Sequence, residues 1–271
     1  MKCPSLADAI LVGTALLVLF YLVYPVVVIV INSFQTDATL FDPSRFGFTW
    51  SNYGRIFAAG FGRFLLNSFI VCCSATLLAT WLSAMAAYVF SRRRFRLRRL
   101  LLGAVIAGQV FPWVVLVTPL FILFARAGLT NTYEGIVFCY TAIGIPFSTY
   151  MLLGYLESIP VELDEAAAID GCSPPAVLWR VVLPLMVPGL VATATYAFLL
   201  CWTDFLFALA FLTRQDMQTL PIGLAGFFGQ NFTDWGAVMA GSVVMTLPAL
   251  LLFIPLQSRL SADLTAGGVK Q

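Results

Sequence analysis

The 271-residue sequence contains no histidine and few charged residues. Lys, Arg, Asp and Glu make up 10% of the chain, whereas soluble globular domains carry about 25%. Because 61% of the residues are hydrophobic, a soluble fold would leave large apolar surfaces in water. The lack of histidine removes the commonest metal ligand and proton shuttle. The composition predicts an all-α, polytopic membrane protein without a metal site.

Motifs for disulfides and for nucleotide binding are also missing. The six cysteines show no CxxC spacing and lie mostly in apolar segments, so we interpret them as small core residues; they are Cys3, Cys72, Cys73, Cys139, Cys172 and Cys201. No G-x-x-x-x-G-K-[ST] phosphate loop is present, and Lys2 and Lys270 are the only lysines. Any ATP hydrolysis must therefore come from a separate subunit.

Six apolar segments are long enough to cross a bilayer, which takes about 20 residues. The first is too long for the apolar region of a signal peptide, and no A-x-A site follows it. Because the bilayer offers no hydrogen-bond partners, each segment must be helical. The predicted spans are 9–31, 64–90, 100–124, 135–156, 185–211 and 237–257.

The distribution of Lys and Arg predicts the orientation of these spans. The loop 91–99 alone holds six arginines. With the N terminus inside, ten basic residues fall on the inner side and five on the outer side. Both termini and the segment 160–184 are therefore predicted to be cytoplasmic. The arginine run is also compatible with a nucleic-acid or anionic-lipid patch, but so short a loop favours simple anchoring.

The segment 160–184, PVELDEAAAIDGCSPPAVLWRVVLP, is a polar island between two spans. It carries Glu162, Asp164, Glu165 and Asp170, with Arg180 as its only basic residue. Pro160 is typical of a helix start, and Gly171 of a helix end. Ser173 and Pro174 are typical of the start of a second helix. We therefore predict two short helices broken at Gly171.

This acidic segment is either a solvated loop or a docking element. We expect Val177, Leu178 and Trp179 to be exposed beside the charges. Such apolar residues are poor choices for a turn that contacts only water. A helix that lies in a groove of a partner explains both the apolar and the acidic residues.

The spacing E-A-A, then G, then L-P resembles the EAA loop of the membrane subunits of binding-protein-dependent ABC importers. The matching residues are Glu165, Ala166, Ala167, Gly171, Val181, Leu183 and Pro184, with Val181 where isoleucine is usual. Further segments resemble maltose-type sugar permeases, namely 48–57, 111–121, 128–136, 145–160, 203–209 and 264–270.

The resemblance implies a non-catalytic permease of the type I importer fold in the cytoplasmic (inner) membrane. Residues 1–63 would form a first span and outer loop, 64–258 the five-helix core, and 259–271 a cytoplasmic tail. The implied partners are a second permease, two ATPase subunits that bind ATP and Mg²⁺, and an extracytoplasmic substrate-binding protein. The cargo would be a sugar or sugar derivative. The residues implied to couple to the ATPase are Glu162, Asp164, Glu165, Ala166, Ala167, Asp170, Gly171 and Pro184.

Asp204 is the one carboxylate that clearly falls inside a predicted span, and an acid there suggests a functional site. Together with Tyr196, Trp202 and Phe205 it is a candidate for the substrate pathway. The alternatives are a structural hydrogen bond for Asp204 and simple packing for the aromatic residues.

Two other functions compete with the importer. An ion- or proton-coupled secondary transporter needs titratable groups along its pathway, and this chain offers only Asp204. A membrane scaffold accounts for the acidic island but not for the resemblance along the spans.

Overall fold

The computed structural model describes residues 6–40, 45–229 and 233–267, most of which are helical. Lys2, Cys3 and Lys270 lie outside the described residues. The α-helices are α1 (Leu6–Ser33), α2 (Ser51–Ala58), α3 (Phe61–Arg92), α4 (Arg98–Val110), α5 (Trp113–Arg126), α6 (Tyr133–Glu157), α7 (Glu162–Ile169), α8 (Pro174–Val177), α9 (Leu183–Leu185), α10 (Val187–Thr203), α11 (Leu206–Phe211), α12 (Leu220–Ala225) and α13 (Trp235–Gly267). A π-helical turn, Leu178–Val182, joins α8 to α9.

The prediction of an all-α membrane protein is confirmed. Within the described residues, α1, α3, α6 and α13 are each long and apolar enough to cross a membrane. The number of spans is six if each of two bent pairs counts as one span: α4 with α5, bent by 104°, and Pro174–Leu185 with α10, bent by 78°.

Two predicted spans are interrupted rather than continuous. The third breaks before α5 at Pro112, where proline has no N–H to continue the helical bonding. The fifth turns at Met186, between Pro184 and Pro188, and breaks again after Thr203. The predicted spans 100–124 and 185–211 are therefore helical but interrupted.

One compact unit comprises Met1–Gly62 and Gly223–Leu247. The most apolar stretch of α1 has no residue buried within the described chain. After α1, Asn52 donates to the carbonyls of Ser33 and Gln35, both at 2.9 Å. Arg55 holds Asp37 through two hydrogen bonds of 3.0 Å and lies 3.2 Å from Asp234. These contacts fasten the segment after α1 to the start of α13.

The second unit comprises Arg63–Ile222 and Pro248–Gln271, and it contains both predicted sites. Its helices approach closely at glycines: a Cβ on Gly144 would lie 3.3 Å from the Cβ of Ala79, and one on Gly189 only 2.6 Å from Tyr155. At one end of α3 and α6 an apolar cluster includes Tyr88, Phe90, Leu152, Leu156, Ile159, Val182 and Met186. The acidic segment is built on this cluster.

Candidate functional site

The acidic segment folds as the predicted pair of short helices, α7 and α8. Gly171 adopts a φ of +88°, a conformation that favours glycine. The N–H of Gly171 donates to the carbonyl of Ala168 at 3.1 Å, and the N–H of Cys172 donates to that of Ala167 at 3.0 Å. This is the Schellman ending of a helix. Ser173 precedes Pro174 at the start of α8, although its side chain makes no capping hydrogen bond.

A buried ion pair fastens α7 to the end of α3. Arg92 Nε donates to Asp164 Oδ2 at 3.0 Å, and the side chains of Arg92 and Asp164 are only 7% and 12% exposed. Arg92 also donates to the carbonyl of Ile159 at 2.9 Å, just before α7. Asp164 Oδ1 makes no hydrogen bond within the described residues. Asp164, predicted as a coupling residue, is thus oriented toward its own chain, where it positions α7.

Several apolar residues of the segment lie on its inner side. Ala167, Val177 and Leu178 are 9%, 3% and 9% exposed and belong to the apolar cluster described above. The expectation that Val177 and Leu178 are exposed beside the charges is therefore wrong, because they pack against their own bundle. Trp179 is exposed, and its ring lies 4.7 Å from that of Trp81.

The outer face of α7 carries charged and apolar side chains together. Ile169 is 87% exposed and Leu163 42%. Apart from Asp164 and the buried Ala167, the predicted coupling residues are all exposed. These exposed residues are Glu162, Glu165, Ala166, Asp170, Gly171 and Pro184. The sequence prediction missed Ile169 and Leu163. The position of Ile169, beside Asp170 at the end of a polar helix, could have indicated an exposed apolar contact.

Asp204 occupies the break between α10 and α11. Its Oδ2 accepts hydrogen bonds from the Tyr140 hydroxyl at 2.8 Å and from the N–H groups of Phe207 and Ala208 at 3.1 Å. Two of these donors belong to the first turn of α11, whose N–H groups have no helical partner. The structural hydrogen bond, one of the two predicted roles of Asp204, is thus present.

A cavity of about 440 Å³ opens beside this carboxylate. Trp113, Tyr140, Thr203, Asp204 and Phe205 line it, together with aliphatic residues. An indole, a hydroxyl and a carboxylate can bind the apolar face and the hydroxyl groups of a polar ring. The sequence prediction missed Trp113 and Tyr140, because both are more than 60 residues from Asp204.

The other two pathway candidates lie elsewhere. Trp202 is 1% exposed, and its ring lies 4.9 Å from Phe69 and 5.1 Å from Phe198. Its geometry favours packing over contact with a substrate. Tyr196 is 38% exposed and lies 3.8 Å from the ring of Phe147. No group of His, Cys, Asp or Glu suited to a metal ion occurs in the part of the chain that the structure describes.

Comparisons with known proteins agree with this architecture. The family model described as the inner membrane component of binding-protein-dependent transport systems matches residues 79–265. The trehalose/maltose transport system permease of Thermococcus litoralis is 35% identical, with 100% of this chain and 99% of the relative covered. The sulfoquinovosyl glycerol permease of Agrobacterium fabrum is 35% identical over 91% of this chain and 88% of its own.

A solved structure shares the fold. The crystal structure of a bacterial ABC transporter that imports alginate contains a chain that superimposes with a TM-score of 0.80. The alignment covers 95% of this chain and 99% of that one, at 22% sequence identity.

Proposed function

This chain belongs to the family of inner membrane components of binding-protein-dependent transport systems, and we propose that it lines the route by which an ATP-driven importer carries a sugar or sugar derivative. The trehalose/maltose and sulfoquinovosyl glycerol relatives support a carbohydrate cargo. Members of the family are transport subunits rather than enzymes, so the chain itself is non-catalytic. The other subunits in our proposal are a second permease, two ATPase subunits that bind ATP and Mg²⁺, and an external substrate-binding protein.

The outer face of α7 is the observation that carries this proposal. Ile169 presents an almost fully exposed apolar side chain, with Glu165 on the same short helix and Asp170 directly after it. An apolar anchor that fills a pocket and is surrounded by polar contacts is the usual form of a binding hot spot. We assign this face to the ATPase subunit, with Ile169 in an apolar pocket and the carboxylates beside basic residues.

The inner face of α7 makes it suitable for transmitting motion. An isolated helix of eight residues is unstable in water, yet α7 is held by the Arg92–Asp164 pair and by its apolar contacts. A displacement of α7 by the ATPase would therefore pull on α3 and on the end of α6 instead of unfolding the helix. In this arrangement Asp164 acts as a positioning residue, and Glu162, Glu165, Ala166, Ile169 and Asp170 are the contact residues.

The orientation of the chain in the inner membrane follows from its charges. Ten basic residues accompany α7 on one side and five lie on the other, so we place α7 and both termini in the cytoplasm. This side is the one on which ATP is available to the proposed ATPase subunits.

The first test is reconstitution of the chain with candidate ATPase, second permease and binding protein. We expect Glu165→Lys and Ile169→Asp each to lower substrate-stimulated ATP hydrolysis and uptake by about tenfold or more, since truncation of a central anchor costs about 2 kcal/mol or more. Glu157→Lys is the matched control, because Glu157 is an exposed acid outside α7. Wild-type transport by both α7 variants would contradict the docking role. Uptake by this chain alone, driven by a pH gradient and independent of ATP, would instead establish a secondary transporter.

The cavity beside Asp204 is our candidate for contact with the cargo. The relevant substitution is Asp204→Asn, because asparagine still accepts the hydrogen bonds from Phe207 and Ala208 and caps helices about as well as aspartate. We expect uptake to fall about tenfold while the thermal unfolding midpoint stays within a few degrees of wild type. Glu157→Gln makes the same change of carboxylate to amide at an exposed residue outside the cavity, and it is the control. Unchanged uptake by Asp204→Asn would leave Asp204 with a purely structural role.

A further inference from the structure

Six arginines lie at the junction of α3 and α4, from the last residue of α3 to the second residue of α4. Within the described residues, two of them bond to other parts of the chain. Arg92 pairs with Asp164, and Arg98 donates to the carbonyl of Phe90 at 2.6 Å. The other four are exposed, and none of their guanidinium groups makes a hydrogen bond or ion pair within the described residues; they are Arg93, Arg94, Arg96 and Arg99. The proposed docking of α7 does not require these four guanidinium groups.

The lengths of the flanking helices place this junction at the membrane surface. The 32 residues of α3 extend about 48 Å, which exceeds the hydrocarbon thickness of about 30 Å. At least one end of α3 must therefore reach the headgroup region. Its C-terminal end does so here, because it carries the arginines and is followed after five residues by α4, the start of the next span.

Apolar side chains alternate with the arginines. Phe95, Leu97 and Leu100 are 36%, 56% and 68% exposed, and the ring of Phe95 lies 6.1 Å from that of Phe90. Apolar residues inserted beside a row of guanidinium groups are typical of a segment in the membrane interface. A loop that contacted only water would not need them.

The start of α4 concentrates positive charge further. The first turn of this 13-residue helix has no acidic residue, and no side-chain hydrogen bond caps it. It begins instead with Arg98 and Arg99, which add to the positive end of the helix dipole. An anion at this position would offset the repulsion and could accept hydrogen bonds from the free N–H groups.

We propose that the segment 93–99, which comprises the loop after α3 and the first two residues of α4, binds the headgroup phosphate of an anionic phospholipid. Arg94, Arg96 and Arg99 would contact the phosphate, and Phe95 and Leu97 would insert among the acyl chains. Arginine suits this role because its planar fork matches phosphate oxygens. The site directly follows Arg92, the residue that holds α7, so the lipid and the docking helix would share the last turn of α3.

The test uses the protein in the complex in which it is isolated. Native mass spectrometry measures how much phosphatidylglycerol stays bound to the complex, compared with how much phosphatidylcholine stays bound. We expect a clear preference for phosphatidylglycerol that weakens with added salt. Each of Arg94→Gln and Arg96→Gln should weaken phosphatidylglycerol binding about fivefold, and the triple variant with Arg99→Gln by well over tenfold. The corresponding triple lysine variant keeps the charge but lacks the planar fork, and it should bind phosphatidylglycerol more tightly than the triple glutamine variant and less tightly than wild type.

Two controls separate a lipid site in this segment from a general effect of lost charge or lost folding. Arg126→Gln removes an exposed arginine from the end of α5 and should leave the binding unchanged. The single variants test the proposal if the triple variant inserts poorly. Wild-type phosphatidylglycerol binding by all the glutamine variants would overturn the proposal. So would a triple variant that binds the lipid normally but no longer copurifies with a partner subunit, because the arginines would then contact protein.

Discussion

At the scale of single residues, the buried pair of Arg92 and Asp164 has the clearest energetic consequence. Removing both charges from water is costly, and the contact offsets that cost only while both partners are present. Loss of one partner leaves a buried charge without compensation, which typically costs about 3–5 kcal/mol. An apolar replacement of both residues avoids this penalty, although the carbonyl of Ile159 would lose its donor.

We therefore expect Asp164→Ala to lower the free energy of unfolding by about 3 kcal/mol. The double variant Arg92→Met/Asp164→Leu should lose less than either single variant. Thermal unfolding in detergent, followed by tryptophan fluorescence, measures the difference. Asp216→Asn is the control, since the pair of Asp216 with Arg214 is exposed and its loss should barely change the midpoint. A double variant less stable than both singles would contradict this account.

For single residues, the sequence predicts backbone conformation better than the direction in which a side chain faces. Gly171 was predicted as a helix end, and its positive φ confirms this, because the requirement for glycine is local. Nothing local indicates which of six arginines turns inward, or that Val177 and Leu178 face the bundle. Those orientations depend on α3 and α6, which lie far away in the sequence.

At the scale of helices, Gly189 of α10 lies where α6 approaches most tightly among the glycines that the two helices carry. In membranes, small residues allow helices to approach because lipid provides little apolar driving force for their association. Gly189 is buried, and a Cβ there would lie 2.6 Å from Cγ of Tyr155. The ring of Tyr155 thus occupies the space that any side chain at position 189 would need.

Gly189→Ala should therefore destabilise the protein by about 1–3 kcal/mol, the usual cost of overpacking a core. Gly103→Ala is the matched control, because a Cβ at Gly103 meets nothing within 4 Å and that glycine also lies inside a helix. Thermal unfolding midpoints of the two variants give the comparison. Equal midpoints would show that α6 and α10 separate without cost.

At the scale of the second unit, α6 connects the two candidate sites. Tyr140, which contacts Asp204, lies 17 residues before Glu157 at the end of α6 that leads into the acidic segment. That separation corresponds to about 26 Å along the helix. The cavity beside Asp204 and the docking face of α7 therefore lie at different depths, and α6, which contains Pro146, runs between them.

The orientation in the membrane can be tested at the same scale. Gln215 and Ser158 are exposed residues near opposite ends of α6. Gln215 lies two residues after Thr213, which accepts a hydrogen bond from Asn131 just before the start of α6. Ser158 directly follows the end of α6. In a variant without its own cysteines, an impermeant maleimide should label Gln215→Cys in intact cells but Ser158→Cys only after permeabilisation. The reverse pattern would invert the proposed orientation.

Composition and charge placement by themselves determined the membrane class and the number of apolar segments, and local residue patterns determined the break at Gly171. These properties follow from short-range chemistry, namely the cost of apolar surface in water and the conformational freedom of glycine. The tertiary structure alone decided that Asp164 faces Arg92, that Ile169 faces outward and that Asp204 meets Tyr140. Each of these depends on which helices lie side by side, and that is decided by packing between residues distant in the sequence.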